Sequence, residues 1–331
     1  MRAVFFEQHG GAEVLRYGDF PEPVVGPHDV LIGVKACALN HLDIWIRQGL
    51  PGISIPLPHI LGADVSGVIL ETGKAVRGKK KGSRVVISPG GVDSYSPDFQ
   101  ILGLQSQGGY AEKVCVNENY VIPVSKRYSF EKWAAMPLVS LTAYHMLVTR
   151  AALKPKETVL VHAAGSGVGS IAIQLAKFLG AKVFTTVGSA DKISHAKKLG
   201  ADAVILYKEE DFSEAVHRLT KGRGVDVIFE HIGPETWQKN IKSLRRGGRL
   251  VTCGATSGPK AEIDLRYLFS KQLSILGSYV GSLTELHKVL ALIEKGAIKP
   301  VIDKVFPLEE AKSAHQRMES RKNFGKIVLK V

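Results

Sequence analysis

Cysteine is scarce. The 331 residues hold three, Cys37, Cys115 and Cys253. An odd number of widely separated thiols builds no disulfide framework. No pair is spaced Cys-x-x-Cys, which excludes a cysteine-rich structural zinc site. Each lies in an apolar, strand-like stretch, where a buried, inert thiol is expected. Long hydrophobic runs are absent too. The stretches 158–162 and 225–229 are about five residues long, against the ~20 that span a bilayer. Glu7 and Gln8 interrupt the apolar start of the chain, so no signal-peptide core is expected. These absences point to a cytoplasmic protein with no membrane association.

What is present is ordinary for a folded protein. Apolar residues make up 45% and charged residues 23%, which excludes a disordered or collagen-like chain. The length suggests about two domains. Lys and Arg outnumber Asp and Glu 44 to 31, a net charge of +13. Such a balance suits nucleic acid, an acidic surface or an anionic small molecule. The densest basic run, residues 77–84, reads as a solvated hairpin tip before the strand at 85–87. No zinc-finger spacing or RNA-binding aromatic signature accompanies it, so a small-molecule partner is expected and nucleic acid is not.

Residues 1 to about 125 read as β-rich, with short apolar runs at 30–34, 67–70, 84–87 and 111–116 between Gly and Pro turns. Residues 129–149 read as helical, with Ser129 as N-cap and a break at Pro137. From about 155 the rhythm changes. Strands at 158–162, 182–187, 203–205, 225–229, 249–253 and 273–278 interleave with helices at 168–179, 190–199, 211–221 and 235–244. Val168, Ile171, Ala172, Leu175, Ala176 and Leu179 form one face at the helical period, and Gly180 suits the C-terminal cap. The pattern implies an α/β fold with a Rossmann-type, doubly wound, six-stranded parallel sheet. A helix at 283–295 and a strand at 326–331 close the chain.

Between the first strand and its helix lie Gly165, Ser166, Gly167, Val168 and Gly169. Glycines there let the backbone approach a pyrophosphate, and the helix N-terminus favours its charge. The spacing alone is weak; its strand–turn–helix setting makes the reading strong. NAD sites carry an acid at the end of the second strand, to bond the ribose 2′-hydroxyl. Val187 stands there. Gly188 and Ser189 leave room for a phosphate and Lys192 supplies charge, so NADPH is the expected cofactor. Asp191 reads as a helix N-terminal acid.

At this point the chain resembles the medium-chain dehydrogenase/reductase superfamily, most closely its quinone oxidoreductase and enoyl reductase branch. The resemblance spans the chain. It rests on residues 38–43 (ALNHLD), 61–67 (LGADVSG), 108–112 (GGYAE), 137–144 and 323–328 (NFGKIV), with the glycine turn. It implies a GroES-like catalytic domain built from residues 1–127 and 281–331, a nucleotide-binding domain over 128–280, and an active site in the cleft. Further cofactor contacts are expected at Tyr207, Cys253, Gly254, Ala255, Gly277 and Ser278. Zinc-dependent members place Cys at Asn40, His-Glu at Ala63-Asp64 and a third ligand near Leu138-Val139; a second, four-Cys site falls between Pro89 and Gly103. Neither set is kept, and Asp64 alone cannot hold tetrahedral zinc, so no metal is expected.

Without zinc to polarise a ketone, hydride addition to an activated alkene is the expected chemistry. The enolate so formed needs hydrogen-bond donors. Asn40 is expected to donate to it or to the cofactor. His41 reads either as a proton shuttle or as a structural histidine. Asp43 orients Asn40 or His41, or caps a helix. Thr142 lies under the nicotinamide or packs a helix. Trp45 stands where the branch often has Tyr and cannot protonate carbon, leaving water. Tyr267 and Lys271 match a short-chain dehydrogenase spacing, which reads as chance this late in the chain. Two alternatives stay open: an alcohol dehydrogenase or carbonyl reductase of the same superfamily, and a non-catalytic cofactor-binding module. The apolar strand at 273–278 is expected at the sheet edge, where it would pair in a homodimer or a tetramer of such dimers.

Overall fold

The apolar runs after residue 155 become the six parallel strands Thr158–Val161, Lys182–Val187, Ala203–Leu206, Val225–Glu230, Leu244–Thr252 and Ser274–Gly277. The computed structural model describes all 331 residues. In space the six strands run third, second, first, fourth, fifth, sixth. The order reverses beside Thr158–Val161, the switch point at whose carboxyl end such sheets bind ligands. That strand is buried throughout, as helices on both faces require. Leu160, Phe184, Ile228 and Leu250 from the sheet pack against Phe212 and Val216 of a covering helix.

This sheet belongs to a unit of residues Ser140–Gly281 and Lys295–Lys299; the other unit comprises Met1–Val139, Ser282–Glu294 and Pro300–Val331. Residues 128–139, expected with the nucleotide-binding part, therefore fall in the first unit. The reason is packing. Ser129 caps a short helix, Phe130–Ala134, and Ala134 and Ala135 bury against Ala36, Ala38 and Val328. The break at Pro137 is real, and that proline starts a new helix, Pro137–Tyr144, where its missing N–H costs nothing. The helix then widens, with Ala151 N–H reaching the Met146 carbonyl at 2.8 Å.

In the first unit the main sheet runs Ile302–Pro307, Lys326–Lys330, Asp29–Ala38, Asp64–Thr72, Arg84–Ile87, Val121–Pro123, with Lys113–Asn117 also on Asp29–Ala38. The C-terminal strand lies antiparallel to Asp29–Ala38, pairing Val328 with Ala38. The strand Ile302–Pro307 and the helices Leu265–Ser270 and Ala311–Glu319 have no counterpart in the sequence reading. Leu265–Ser270 is six residues long and leaves Leu265, Tyr267 and Phe269 exposed, so it is too short to show a helical period. Two thiols also depart from expectation: Cys37 is buried, but Cys115 and Cys253 are only partly so. Burial still pushes Cys115 up to about 11, Cys253 to about 12 and Cys37 upward as well, so all three stay protonated at neutral pH.

Candidate active site

The turn after Thr158–Val161 is built for close approach. Ala163 adopts a left-handed backbone, φ 51°, which turns the chain back over the sheet. Its N–H donates to Thr186 Oγ1 at 3.0 Å, and Ala164 N–H donates to the Thr186 carbonyl at 3.0 Å. Ser166 caps the helix Gly167–Phe178, its Oγ accepting from Gly169 N–H at 2.9 Å. A Cβ on Gly169 would lie 2.4 Å from the Ala163 carbonyl oxygen, so only glycine fits. Gly165, Ser166, Gly167 and Val168 stay partly open at the helix N-terminus, where an anion is favoured.

At the end of the second strand, Val187 is buried and offers no acceptor. Gly188, Ser189 and Lys192 are half-buried. Tyr207, 45% exposed, brings its hydroxyl within 2.8 Å of where a Gly188 Cβ would stand. Asp191 accepts a hydrogen bond from Ser189, which lowers its pKa. Cys253, Gly254 and Ala255 follow the fifth strand, and Gly277 and Ser278 end the sixth, with Ser278 N–H on the Thr252 carbonyl at 2.9 Å. The expected cofactor positions of this unit thus share the carboxyl edge of one sheet.

Sequence reasoning missed a buried polar group beneath that edge. Glu230 Oε1 accepts from Ile232 N–H at 2.7 Å, Gly233 N–H at 2.9 Å and Thr236 Oγ1 at 3.0 Å, and Thr252 Oγ1 donates to Oε2 at 3.1 Å. Nearby, His162 meets Asn240 Oδ1 at 2.6 Å, and burial drives its pKa down to about 4. Thr142 is half-buried in the helix Pro137–Tyr144, in the part from Ser140 on that belongs to this unit. Lys271, four residues past the half-exposed Tyr267, is anchored by the Lys242 and Leu244 carbonyls at 2.8 and 2.9 Å.

In the first unit, Asn40 stands between the strand Asp29–Ala38 and the helix His41–Gln48 and is 8% exposed. Asp43, in the first helical turn, accepts from Asn40 N–H at 2.7 Å, Gly62 N–H at 3.1 Å and the Tyr110 hydroxyl at 3.2 Å. Burial raises its pKa to about 6, so it is a carboxylate at neutral pH. His41 is exposed, edge-on to Trp45 at 5.8 Å. The structure thus joins Asn40 to Asp43, leaves His41 on the surface, and describes Thr142 within the other unit.

A buried cation completes the group. Lys326 Nζ, 286 residues from Asn40 in sequence, donates to Asn40 Oδ1 at 2.6 Å, the Leu39 carbonyl at 2.6 Å and Asp64 Oδ2 at 2.8 Å. Asn40 Nδ2 donates to Asp64 Oδ2 at 2.9 Å, and Leu138 N–H to Asp64 Oδ1 at 2.7 Å. Asp64 is fully buried and Lys326 is 3% exposed. These residues do not fit zinc. At the positions that carry zinc ligands in relatives, Asp64 is the one anionic donor; it is neutralised by an ammonium, and Ala63 and Val139 offer none. No group of three or more His, Cys, Asp or Glu side chains gathers where it could hold a metal. The motif at 323–328 contained the signal for Lys326: a lysine directly before the apolar run 327–329.

Comparison with known proteins agrees with this layout. Residues 26–126 match the alcohol dehydrogenase GroES-like domain, and residues 167–295 match the zinc-binding dehydrogenase family. Quinone oxidoreductase 1 of Escherichia coli is 35% identical, covering 98% of both chains. Crotonyl-CoA reductase of Streptomyces collinus is 33% identical over 93% of this chain and 80% of its own. Among solved structures, an NAD-dependent alcohol dehydrogenase is 44% identical, with a TM-score of 0.97 and full coverage of both chains. The Escherichia coli quinone oxidoreductase complexed with NADPH is 32% identical, with a TM-score of 0.88 and full coverage of both. No helix is long and apolar enough to cross a membrane.

Proposed function

The chain belongs to the medium-chain dehydrogenase/reductase superfamily and is an oxidoreductase, and we propose that it is an NADPH-dependent reductase of activated alkenes that works without zinc. The observation that carries this reading is the end of the second strand. Val187 is buried and apolar where a 2′-hydroxyl would need an acid, while Gly188, Ser189, Lys192 and Tyr207 gather around the same turn. The close-packed Gly169 turn suits the pyrophosphate. The substrate class is the alkene of a quinone, enone or enoyl thioester, in keeping with the quinone oxidoreductase and crotonyl-CoA reductase relatives.

When bound, NADPH supplies a hydride. The chain's own task is to receive the negative charge that develops on the substrate oxygen. Asn40 Nδ2 has one hydrogen on Asp64 and, for its second, only a long contact of 3.4 Å to the Ala38 carbonyl. That second N–H is the proposed donor. Asp43 is a positioning residue, because its oxygens accept from three donors. His41 is exposed enough to exchange protons with solvent, and water protonates the α-carbon. Thr142 and Ser278 are the proposed contacts of the nicotinamide half.

A second reading, alcohol oxidation with NAD, is favoured by the 44% identical structure. The two separate in one set of assays. The proposed reading expects NADPH consumption with quinones and enones, preference over NADH, and well under one zinc per chain after dialysis. NAD-linked alcohol oxidation with stoichiometric zinc would replace it. The reading includes a homodimer formed through Ser274–Gly277, or a tetramer of such dimers. That strand ends the sheet with Ile275 and Tyr279 exposed. A cytoplasmic location is also part of it, supported by three unpaired thiols.

A further inference from the structure

We propose that Lys326 is a positioning residue for the reaction: its ammonium fixes the orientation of the Asn40 amide and cancels the charge of Asp64, so that Asn40 can donate to a substrate oxygen as that oxygen becomes negative. The inference rests on the reading of Asn40 as that donor.

The argument begins with what each group can do. A lysine ammonium only donates, and a carboxylate only accepts. Asn40 lies between the two, with Oδ1 on Lys326 Nζ at 2.6 Å and Nδ2 on Asp64 Oδ2 at 2.9 Å. The reverse amide orientation would set NH2 against NH3⁺ and oxygen against carboxylate. Only one orientation survives, and it leaves the nitrogen end with a hydrogen held by nothing shorter than 3.4 Å. The ammonium also withdraws electron density from the amide oxygen, which makes the N–H a better donor.

The second half is electrostatic. Asp64 is fully buried close to the amide that serves the substrate. An uncompensated carboxylate there would oppose any negative charge forming nearby, and burial weakens screening. Lys326 contacts it at 2.8 Å. A lysine needed only to hold the C-terminal strand would require neither this carboxylate nor this amide. The pairing with Ala38 already holds the strand.

The test separates position from stability. Lys326→Met alone leaves a buried anion and destabilises the protein. The informative variant is therefore Lys326→Met with Asp64→Asn, which removes both charges. It is expected to fold with a denaturation midpoint near that of the wild type, to keep KM for NADPH within about threefold, and to lose kcat by about 100-fold, the scale of a lost oxyanion donor. Lys326→Arg should recover part of kcat. A double variant whose kcat stays within about threefold of wild type would overturn the proposal. A separate readout needs no turnover. In isotope-labelled wild-type protein, the two Asn40 Nδ2 protons should differ, one shifted downfield and protected from exchange by the carboxylate, the other exchanging freely. Similar exchange rates for the two protons would overturn the fixed orientation. If the wild type reduces no acceptor with NADPH, the functional reading fails, and the amide signal still decides the orientation.

Discussion

Tyr110 donates to Asp43 Oδ2 at 3.2 Å, and the direction of that bond is dictated from the other side of the fold. Arg47, fully buried and paired with Glu319, reaches His315 Nδ1 at 3.1 Å. A guanidinium only donates, so Nδ1 accepts and the His315 proton sits on Nε2. Nε2 then donates to the Tyr110 oxygen at 3.3 Å, and the tyrosine proton is left for Asp43. Burial and the neighbouring Arg47 hold His315 down to about 3, so the chain keeps one polarity at any working pH.

Tyr110→Phe removes the link. Asp43 loses one of three donors, and His315 loses its acceptor while buried. The expected loss of stability is about 1–3 kcal/mol, read as a lower urea midpoint with an unchanged slope. An unaltered midpoint would show that water or another donor replaces the hydroxyl.

Asp43 makes stability depend on pH in an unusual direction. Its folded pKa of about 6 lies above the ordinary 3.8. The folded state therefore holds the proton more tightly, and this contribution is full below about pH 4 and lost as pH rises to about 6. Wild type should exceed Asp43→Asn in stability by more at pH 4 than at pH 7, by roughly 2–3 kcal/mol. A gap that narrows on acidification would mean that Asp43 is ionised throughout.

Gly169→Ala sets a Cβ 2.4 Å from the Ala163 carbonyl oxygen and 2.8 Å from Ser166 Oγ. The obstruction is backbone, so the turn itself must move. Overpacking of this kind costs about 1–3 kcal/mol, and NADPH affinity should fall with it. Calorimetry reads both, and unchanged binding would place the pyrophosphate elsewhere.

Lys192→Glu reverses the charge beside Gly188 and Ser189. Affinity for NADPH should drop roughly 10- to 150-fold while NADH changes little. Equal effects on the two cofactors would detach Lys192 from the 2′-phosphate.

Ile275→Lys places a charge on the exposed edge strand Ser274–Gly277. Charged edges resist strand pairing. Light scattering at low micromolar concentration should give a dimer or tetramer for the wild type and one chain for the variant. A monomeric wild type would remove the proposed interface.

Much of the nucleotide-binding unit was legible in sequence because its signals are local. Val168, Ile171 and Leu175 report a helix face by spacing alone, and Gly169 reports a close approach by lacking a side chain. Lys182–Val187 reads as a strand because β-branched and aromatic residues fill both its faces. The start of that unit was not legible. Residues 128–139 are helical either way, and only the contact of Ala134 with Ala38 and Val328 assigns them to the other unit. Helix Ala311–Glu319 escaped for a related reason: it buries only Ala311, Ala314, His315 and Met318, two of them small and one polar.

By itself, the sequence determined the alternation of strand and helix, the glycine turn, the missing acid at Val187 and the loss of metal-binding cysteines. Periodicity and residue chemistry act over a few positions, so these can be read along the chain. Tertiary structure alone decided the roles of Lys326, Tyr110 and His315. Lys326 meets Asn40 because the last strand pairs with Asp29–Ala38, and His315 meets Tyr110 across 205 residues. No spacing rule reaches so far. The physical reason is desolvation: only the folded packing takes Asp64 and Lys326 out of water, and a charge taken out of water needs a partner, wherever in the chain that partner lies.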